Sequence, residues 1–401
     1  MKLCLAGAKT IPFEAGMTIW FASRFGPTYQ GGLAAYERLV IEGVNEKTSI
    51  PVKVICATAE IDSLPTAGDA GGLPVTVLET SWFGRLSKPL WTRFASKVLL
   101  HRPLESILHH AWRVPQLAKS NAIHYVGTGW DFFGFAMAKL AREYEARFVV
   151  TPAIHPGSWG SDRIDGRLYR QADGVICFTH QESRFLEQLG VEKRKLFVCP
   201  LPPTCRTDGD GLRFRKKTNL DCQPCAFFLG RRDEGKGYPA LLQAWPLVLK
   251  KVPEAVLILA GAAGEQYREL IARIPPANIL DIGVPDEITK ADAIAACDVF
   301  CLPSAHESFG IVYVDAWFYG KPVVCGTAPA CREFIVDGKT GLWANQVPEE
   351  LAEKLAFLLQ DRDARNAMGR AGKREQSQRF NYDIFLQIHF DALGLTGSEI
   401  R

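Results

Sequence analysis

Short apolar runs alternate with longer amphipathic stretches along most of this chain, which is the rhythm of a parallel βα array. From Met17 the run TIWFASRF predicts a buried strand that ends at a glycine loop and then a helix. Further strands are predicted over residues 52–57, 122–126, 147–151 and 174–179. A second series, over 226–229, 255–260, 279–282, 299–302 and 322–325, repeats the alternation more clearly, with helices between. Residues 199–225 lie between the two series. They are rich in proline, carry the charge cluster RFRKK, show no apolar periodicity, and read as a connection between two halves. A charged helical stretch over about 348–378 and an apolar final helix close the chain. Residues 1–16 fit this rhythm poorly and read as an optional extension or an alternative start.

Chemistry concentrates at 303–320, PSAHESFGIVYVDAWFYG. A strand, a tight loop and a helix N-terminus make an anion site, because the first backbone N–H groups of a helix have no partner within it. Glu307 precedes the helix, Phe309, Gly310 and Ile311 open it, Asp315 lies two turns inside, and Gly320 stops it. Eight residues at helical rise span on the order of 12 Å. One carboxylate would hold sugar hydroxyls and the other ribose hydroxyls, with phosphate between. Read alone, the stretch fits equally an ordinary crossover with two solvated acids.

Three other places carry weight beside it. Gly230-Arg231-Arg232-Asp233-Glu234-Gly235-Lys236-Gly237 directly follows a predicted strand. The Arg fork and the Lys point charge both suit a diphosphate, and a charged surface loop explains the pair less well once a second anion site ends a strand of the same sheet. Gly31-Gly32 sits before a helical pattern, where a missing Cβ lets amides approach a ligand or simply makes a turn. His155 stands at the carboxyl end of a strand, where open α/β sheets bind ligands.

Composition narrows the partners. A length of 401 residues suits two domains, and a net charge of +3 does not by itself point to nucleic acid. No uncharged apolar run of about 18 residues is present to span a membrane. The N-terminus lacks a convincing signal peptide, and Cys56, Cys177, Cys301 and Cys325 in or beside apolar runs read as reduced core thiols of a cytoplasmic protein. Cys199, Cys205, Cys222 and Cys225 resemble a zinc set only loosely, because their spacing is irregular and no His joins them. Asp208-Gly209-Asp210 reads as a solvated turn rather than a metal motif. Residues 82–119 interleave Arg85, Lys88, Arg93, Lys97, Arg102, Arg113 and Lys119 with five aromatic residues and a single acid, Glu105. That mixture suits a segment resting on anionic lipid at the inner face of a membrane, or a pair of surface helices with snorkelling cations; nucleic acid is a third option that no recognised binding motif supports.

Taken together, Gly230-Arg231 with Lys236-Gly237, then PSAHESFG and a carboxylate eight positions after Glu307, resemble the family-4 retaining glycosyltransferases. The resemblance runs from about Met17 to about Phe390 and includes Gly31-Gly32, His155, Asp298 and EFIVDGKTG from Glu333 to Gly341. It implies an α/β fold of GT-B type, with two Rossmann-like domains facing a cleft. An acceptor-binding domain would cover residues 1–200, a nucleotide-sugar-binding domain 201–380, and a helix over 381–401 would cross back onto the first domain. By resemblance, Arg231 and Lys236 hold the donor diphosphate. Glu307 and the amides of Phe309, Gly310 and Ile311 hold the transferred sugar, Asp315 the ribose, and His155 the sugar near the reacting carbon. Gly31 and Gly32 would approach the donor from the first domain. Two departures stand out: the second acid is Asp315 rather than Glu, and Cys199-Pro-Leu-Pro-Pro-Thr replaces an Asn-Gly-Val-Asp run.

The reading that follows is a metal-independent, retaining transferase with no cofactor. It would move a sugar from a nucleotide-sugar donor to a saccharide or lipid-linked acceptor, in cell-surface polysaccharide or glycolipid synthesis. One competitor is a catalytically silent sugar-nucleotide-binding scaffold, supported only by the shortened Asp315. The other is a dinucleotide-dependent oxidoreductase, suggested by Gly261-x-x-Gly264 and Asp281 but lacking a full G-x-G-x-x-G.

Overall fold

The computed structural model describes residues 18–24, 32–58, 75–79, 120–155, 159–262, 267–397 and 399–400. Residues 1–16, Gly31, Gly264 and the basic aromatic stretch 82–119 lie outside the described residues. The chain divides into two compact units, Met1–Cys199 with Asp383–Arg401, and Pro200–Tyr382.

The first unit holds a seven-stranded sheet: β1 (Thr18–Ser23), β2 (Val52–Thr58), β3 (Val75–Glu79), β4 (Ser120–Val126), β5 (Arg147–Thr151), β6 (Gly174–Cys177) and β7 (Leu196–Val198). Their order is β3-β2-β1-β4-β5-β6-β7 and every pairing is parallel. β1 and β4 are buried at every position, as strands covered on both faces require. Strand order reverses between β1 and β4, which creates a crevice at their carboxyl ends.

The second unit holds six parallel strands: β8 (Cys225–Leu229), β9 (Val256–Ala260), β10 (Ile279–Asp281), β11 (Val299–Leu302), β12 (Val323–Cys325) and β13 (Gly341–Trp343). Their order, β10-β9-β8-β11-β12-β13, reverses between β8 and β11. The Gly230 loop follows β8 and the Pro303 loop follows β11, so both motifs flank the second reversal point. The architecture is that of two Rossmann-like folds, as the sequence implies. β3, β7 and β13 were not predicted; β7 and β13 are three residues long, and β7 is only partly buried, so neither gives a full apolar run.

The stretch read as a connection is more ordered than its composition suggests. Asp210 caps a helix over Gly211–Thr218, accepting from the amides of Leu212 and Arg213. Arg213 forks onto Asp292, and Arg215 reaches Asp298 and the carbonyls of Leu220, Asp221, Gln223 and Ala296. The RFRKK cluster therefore serves packing as well as solvation, and the apolar anchor is Phe214 alone. Asp361 likewise splits the long charged stretch into Pro348–Gln360 and Arg362–Arg379, capping the second helix through Ala364.

The final helix, Tyr382–Leu393, packs in the first unit, where a buried polar chain holds it. His389 Nδ1 lies 2.7 Å from the Phe385 carbonyl, so Nδ1 carries the proton and Nε2 accepts. Tyr36 then donates to His389 Nε2 at 2.8 Å, Thr151 donates to Tyr36 at 2.8 Å, and His124 Nε2 donates to Thr151 at 2.8 Å. The chain closes only if His389 is neutral, since its Nε2 must accept, and both imidazoles are buried. Burial enforces that, pushing His389 down to about 4 and His124 well below the ordinary histidine value.

Candidate active site

In the second unit the loops after β8 and β11 meet backbone to backbone. Gly237 lies at φ 72°, and a Cβ there would stand 2.3 Å from the Pro303 carbonyl oxygen, so no other residue fits. Ser304 Oγ donates to the Gly235 carbonyl at 3.1 Å, and the Ala305 amide bonds the same oxygen at 2.9 Å. Gln346 Nε2 holds the Pro303 carbonyl from β13's side at 2.8 Å. This contact brings two side chains 71 positions apart into one ion pair: Lys236 Nζ lies 2.5 Å from Glu307 Oε1, both largely buried. Lys236 Nζ also approaches the His306 carbonyl at 3.4 Å.

Asp233, which the sequence reading passed over, shapes that loop. Its Oδ1 accepts from the Lys236 amide at 2.9 Å, and its Oδ2 lies 3.4 Å from Arg231 Nε. Arg231 is otherwise open to solvent, with 78% of its side chain exposed. Arg232, its neighbour, faces the other way and forks onto Asp281. A charged Arg, an ammonium and a helix start thus stand at one strand-end reversal.

That helix is Ile311–Phe318. Gly310, at φ 85°, turns the chain into it; the Tyr313 amide already bonds the Gly310 carbonyl at 3.0 Å, and a helix start of this kind presents the amide of its first residue, Ile311, outward. Phe309 is buried, its ring stacked on Phe334 at 4.9 Å, so only its backbone belongs to the site face. Glu307 lies in the loop ahead of the helix, three residues before Gly310.

Asp315 is placed differently from the expectation that it faces a ribose. It is 1% exposed, and its Oδ1 accepts from the amides of Thr204 and Cys205 at 2.6 and 3.0 Å. Its Oδ2 accepts from the Thr204 hydroxyl at 3.2 Å. Burial pushes its carboxyl above the ordinary aspartate value, against Lys290 and the amide bonds. The physical reason is reach: the shorter Asp keeps its carboxylate near its own helix, where the 200–205 segment supplies three donors. Both departures from the family pattern, Asp315 and the segment after Cys199, therefore meet in one contact.

In the first unit, His155 follows β5 and pairs with Trp159 through two backbone bonds of 2.9 Å. Glu182, another residue not predicted, pins this loop. Thr179-x-x-Glu182 reads as a capping box, and Thr179 Oγ1 does accept from the Glu182 amide at 3.0 Å. The Glu182 carboxylate, however, accepts from Ile154 at 2.8 Å and Phe178 at 2.7 Å, tying the loop after β5 to the end of β6. Burial raises it to about 7 against the pull of those two amides. Gly32 is exposed at the start of the Gly32–Lys47 helix, and one turn further on Glu37 is buried, accepts from Ser23 at 3.0 Å, and is raised to about 7 by burial.

Cys199, Cys205, Cys222 and Cys225 do not gather: Cys222 is exposed while the others are buried, and no cluster of three or more metal-ligating side chains exists among the described residues. No described helix is long and apolar enough to cross a membrane.

The chain is similar to known glycosyltransferases. Residues 212–375 match the family model for glycosyl transferases group 1. The GDP-mannose-dependent α-(1-6)-phosphatidylinositol monomannoside mannosyltransferase of Mycobacterium tuberculosis is 29% identical over 338 residues, spanning 77% of this chain and 86% of that protein. The D-inositol 3-phosphate glycosyltransferase of Xylanimonas cellulosilytica is 33% identical over 278 residues, spanning 63% of this chain and 64% of that one. Among solved structures, Anabaena HepE in complex with UDP-glucose superposes with a TM-score of 0.70 at 19% identity, covering 94% of this chain and 100% of that one. Sucrose-phosphate synthase from Thermosynechococcus elongatus superposes at 0.73 and 18% identity, covering 93% and 97%.

Proposed function

We propose, for a chain that is a GT-B glycosyltransferase carrying a group 1 domain, a metal-independent transfer with retention at the anomeric carbon. The observation that carries this reading is the Lys236–Glu307 pair set before the Ile311–Phe318 helix, with Arg231 open beside it. A diphosphate entering there takes Lys236 from Glu307, and Glu307 is released to accept from hydroxyls of the transferred sugar. As the bond from the anomeric carbon to phosphate breaks, the ring gains oxocarbenium character and the diphosphate gains negative charge. Arg231, Lys236 and the helix N-terminus stabilise that charge most strongly in the transition state. They supply the compensation that a divalent cation supplies elsewhere.

Retention follows if the acceptor oxygen attacks the face that the phosphate leaves, with its proton passing to the departing phosphate oxygen. Among the described residues, no carboxylate stands out as a nucleophile for a covalent intermediate. His155, presented at a strand end of the first unit, is assigned to the sugar near the reacting carbon, and the first unit to the acceptor. The mannosyltransferase and inositol-phosphate glycosyltransferase relatives favour a hexose donor and an acceptor bearing an inositol or saccharide ring, free or on a lipid. On this reading the work belongs to glycolipid or polysaccharide synthesis, and a lipid-borne acceptor would be met at the inner face of a membrane.

The test uses the full chain in EDTA with a panel of UDP-, GDP- and ADP-sugars, reading thermal protection and nucleotide release. One donor is expected to protect the wild type and to release nucleotide slowly, and Lys236→Ala to abolish both. Protection by NAD(H) and by no sugar nucleotide would overturn the reading.

A further inference from the structure

Trp130 and Trp159 are unusual among the tryptophans of the described residues. Trp20, Trp245 and Trp317 are fully buried, whereas Trp130 is 40% and Trp159 39% exposed. Both stand at strand carboxyl ends of the first unit, Trp130 just after β4 and Trp159 in the loop after β5. One half-exposed indole would need no explanation, but two on adjoining strand-end loops of one unit make a shared apolar surface.

Their mounts are joined by hydrogen bonds. Trp130 lies in a single turn, Gly129–Asp131, that Thr128 caps, and its indole N–H donates to Asp162 Oδ2 at 2.8 Å. Asp165 bonds the Gly129 amide at 2.7 Å and the Asp162 amide at 3.0 Å, locking the loop after β4 to the loop after β5. Gly160, next to Trp159, is packed so closely that a Cβ would lie 3.1 Å from Thr128 Cγ2. Trp159 is itself paired with His155 through two backbone bonds. Two indoles are thereby held on neighbouring loops, one of them bonded to the His155 backbone.

We propose that Trp130 and Trp159 form a stacking platform for the ring of the acceptor, a pyranose or cyclitol. Such a ring presents a face of C–H bonds to an indole and hydroxyls around its rim, which matches an apolar surface with a polar edge. Asp162, exposed beside Trp130, accepts from rim hydroxyls and repels an anionic lipid surface, which favours a polyol ring over membrane as the occupant. The proposal rests on the acceptor lying on the first unit. It adds a second contact beyond the His155 loop and names the chemistry that this contact recognises.

The full chain labelled with 5-fluorotryptophan is titrated with methyl α-D-mannopyranoside and with myo-inositol, read by fluorine NMR. The two resonances missing in Trp130→Phe and Trp159→Phe are expected to shift saturably with both rings and not with glycerol. Trp159→Ala is expected to weaken mannoside binding about tenfold, the upper range of one aromatic contact. Shifts caused only by phosphatidylglycerol vesicles, or shifts confined to other tryptophans, would overturn the platform. Donor protection in the same sample separates the two readings: intact protection with unresponsive indoles removes the platform alone. Responsive indoles without protection by any donor remove the transferase mechanism and leave a ring-binding surface.

Discussion

In the proposed mechanism the donor chemistry rests on a single side-chain pair, Lys236 and Glu307. Each is recognisable from its own motif, and the 2.5 Å contact between them arises because the β8 and β11 loops interlock at Gly237 and Ser304. Lys236→Ala removes a cation from where charge develops and leaves Glu307 without its partner. Turnover is expected to fall by at least about 10²-fold, with the change in melting temperature small by comparison, measured by nucleotide release beside a thermal scan. Asp315 makes a different prediction. If its carboxylate holds the 204–205 backbone rather than a ribose, the affinity lost on passing from a nucleotide to its 2′,3′-dideoxy analogue is the same in the wild type and in Asp315→Asn. A calorimetric double cycle measures this, and a coupling between the two changes would return Asp315 to the ribose. Asp315→Ala orphans two buried amides and is expected to cost about 1–3 kcal/mol per orphaned group at most, read by denaturant unfolding.

At the scale of elements, Glu182 decides how the loop after β5 is presented. Its two oxygens accept from two amides on different strand ends, a task that the amide side chain of Gln cannot perform, since one of its ends is a donor. Glu182→Gln is therefore expected to destabilise by about 1–3 kcal/mol and to displace His155, visible as a moved His155 resonance in proton–nitrogen spectra. The pH dependence has a definite sign. A carboxyl raised from 4.5 to about 7 binds more protons folded than unfolded. Its contribution is complete below about 4.5 and is lost as pH rises through about 7. Glu37, raised in the same way, adds in the same direction. Replacing Glu182 by Gln should flatten the decline between those limits in urea midpoints taken across pH.

For the whole molecule, the last helix returns to the first unit although the second unit lies between them in sequence. Tyr36 and His389, 353 positions apart, share a bond in a chain that also takes in Thr151 and His124. Ending the chain before Tyr382 is expected to unfold the first unit while nucleotide protection on the second persists, measured by limited proteolysis with and without donor. His389 supplies the opposite pH sign to the glutamates. Its pKa falls from 6.5 to about 4 on folding, so its contribution is present above 6.5 and is lost as pH drops toward 4. The first unit is thus weakened in acid by its histidine and near neutrality by its carboxyls, and Tyr36→Phe should lower its stability at every pH by breaking the chain at its centre.

Much of this was determined by the sequence alone. The βα alternation, the two halves, the positions of the Gly230 and Pro303 motifs and the strand-end setting of His155 follow from local periodicity and from what glycine, proline and apolar runs permit. So does the conclusion that Arg231, Lys236 and Glu307 stand at strand ends, because a motif that directly follows a strand has nowhere else to be. The helix over Gly211–Thr218 was hidden by its composition, since its single apolar anchor gives no period and its hold on the unit comes from Arg213 and Arg215. Only the tertiary structure decided what Asp315, Glu182, Trp130 and His389 bond to. Each depends on a partner from a distant part of the chain, and the direction of a hydrogen bond or the exposure of a ring is set by neighbours that the sequence does not make adjacent.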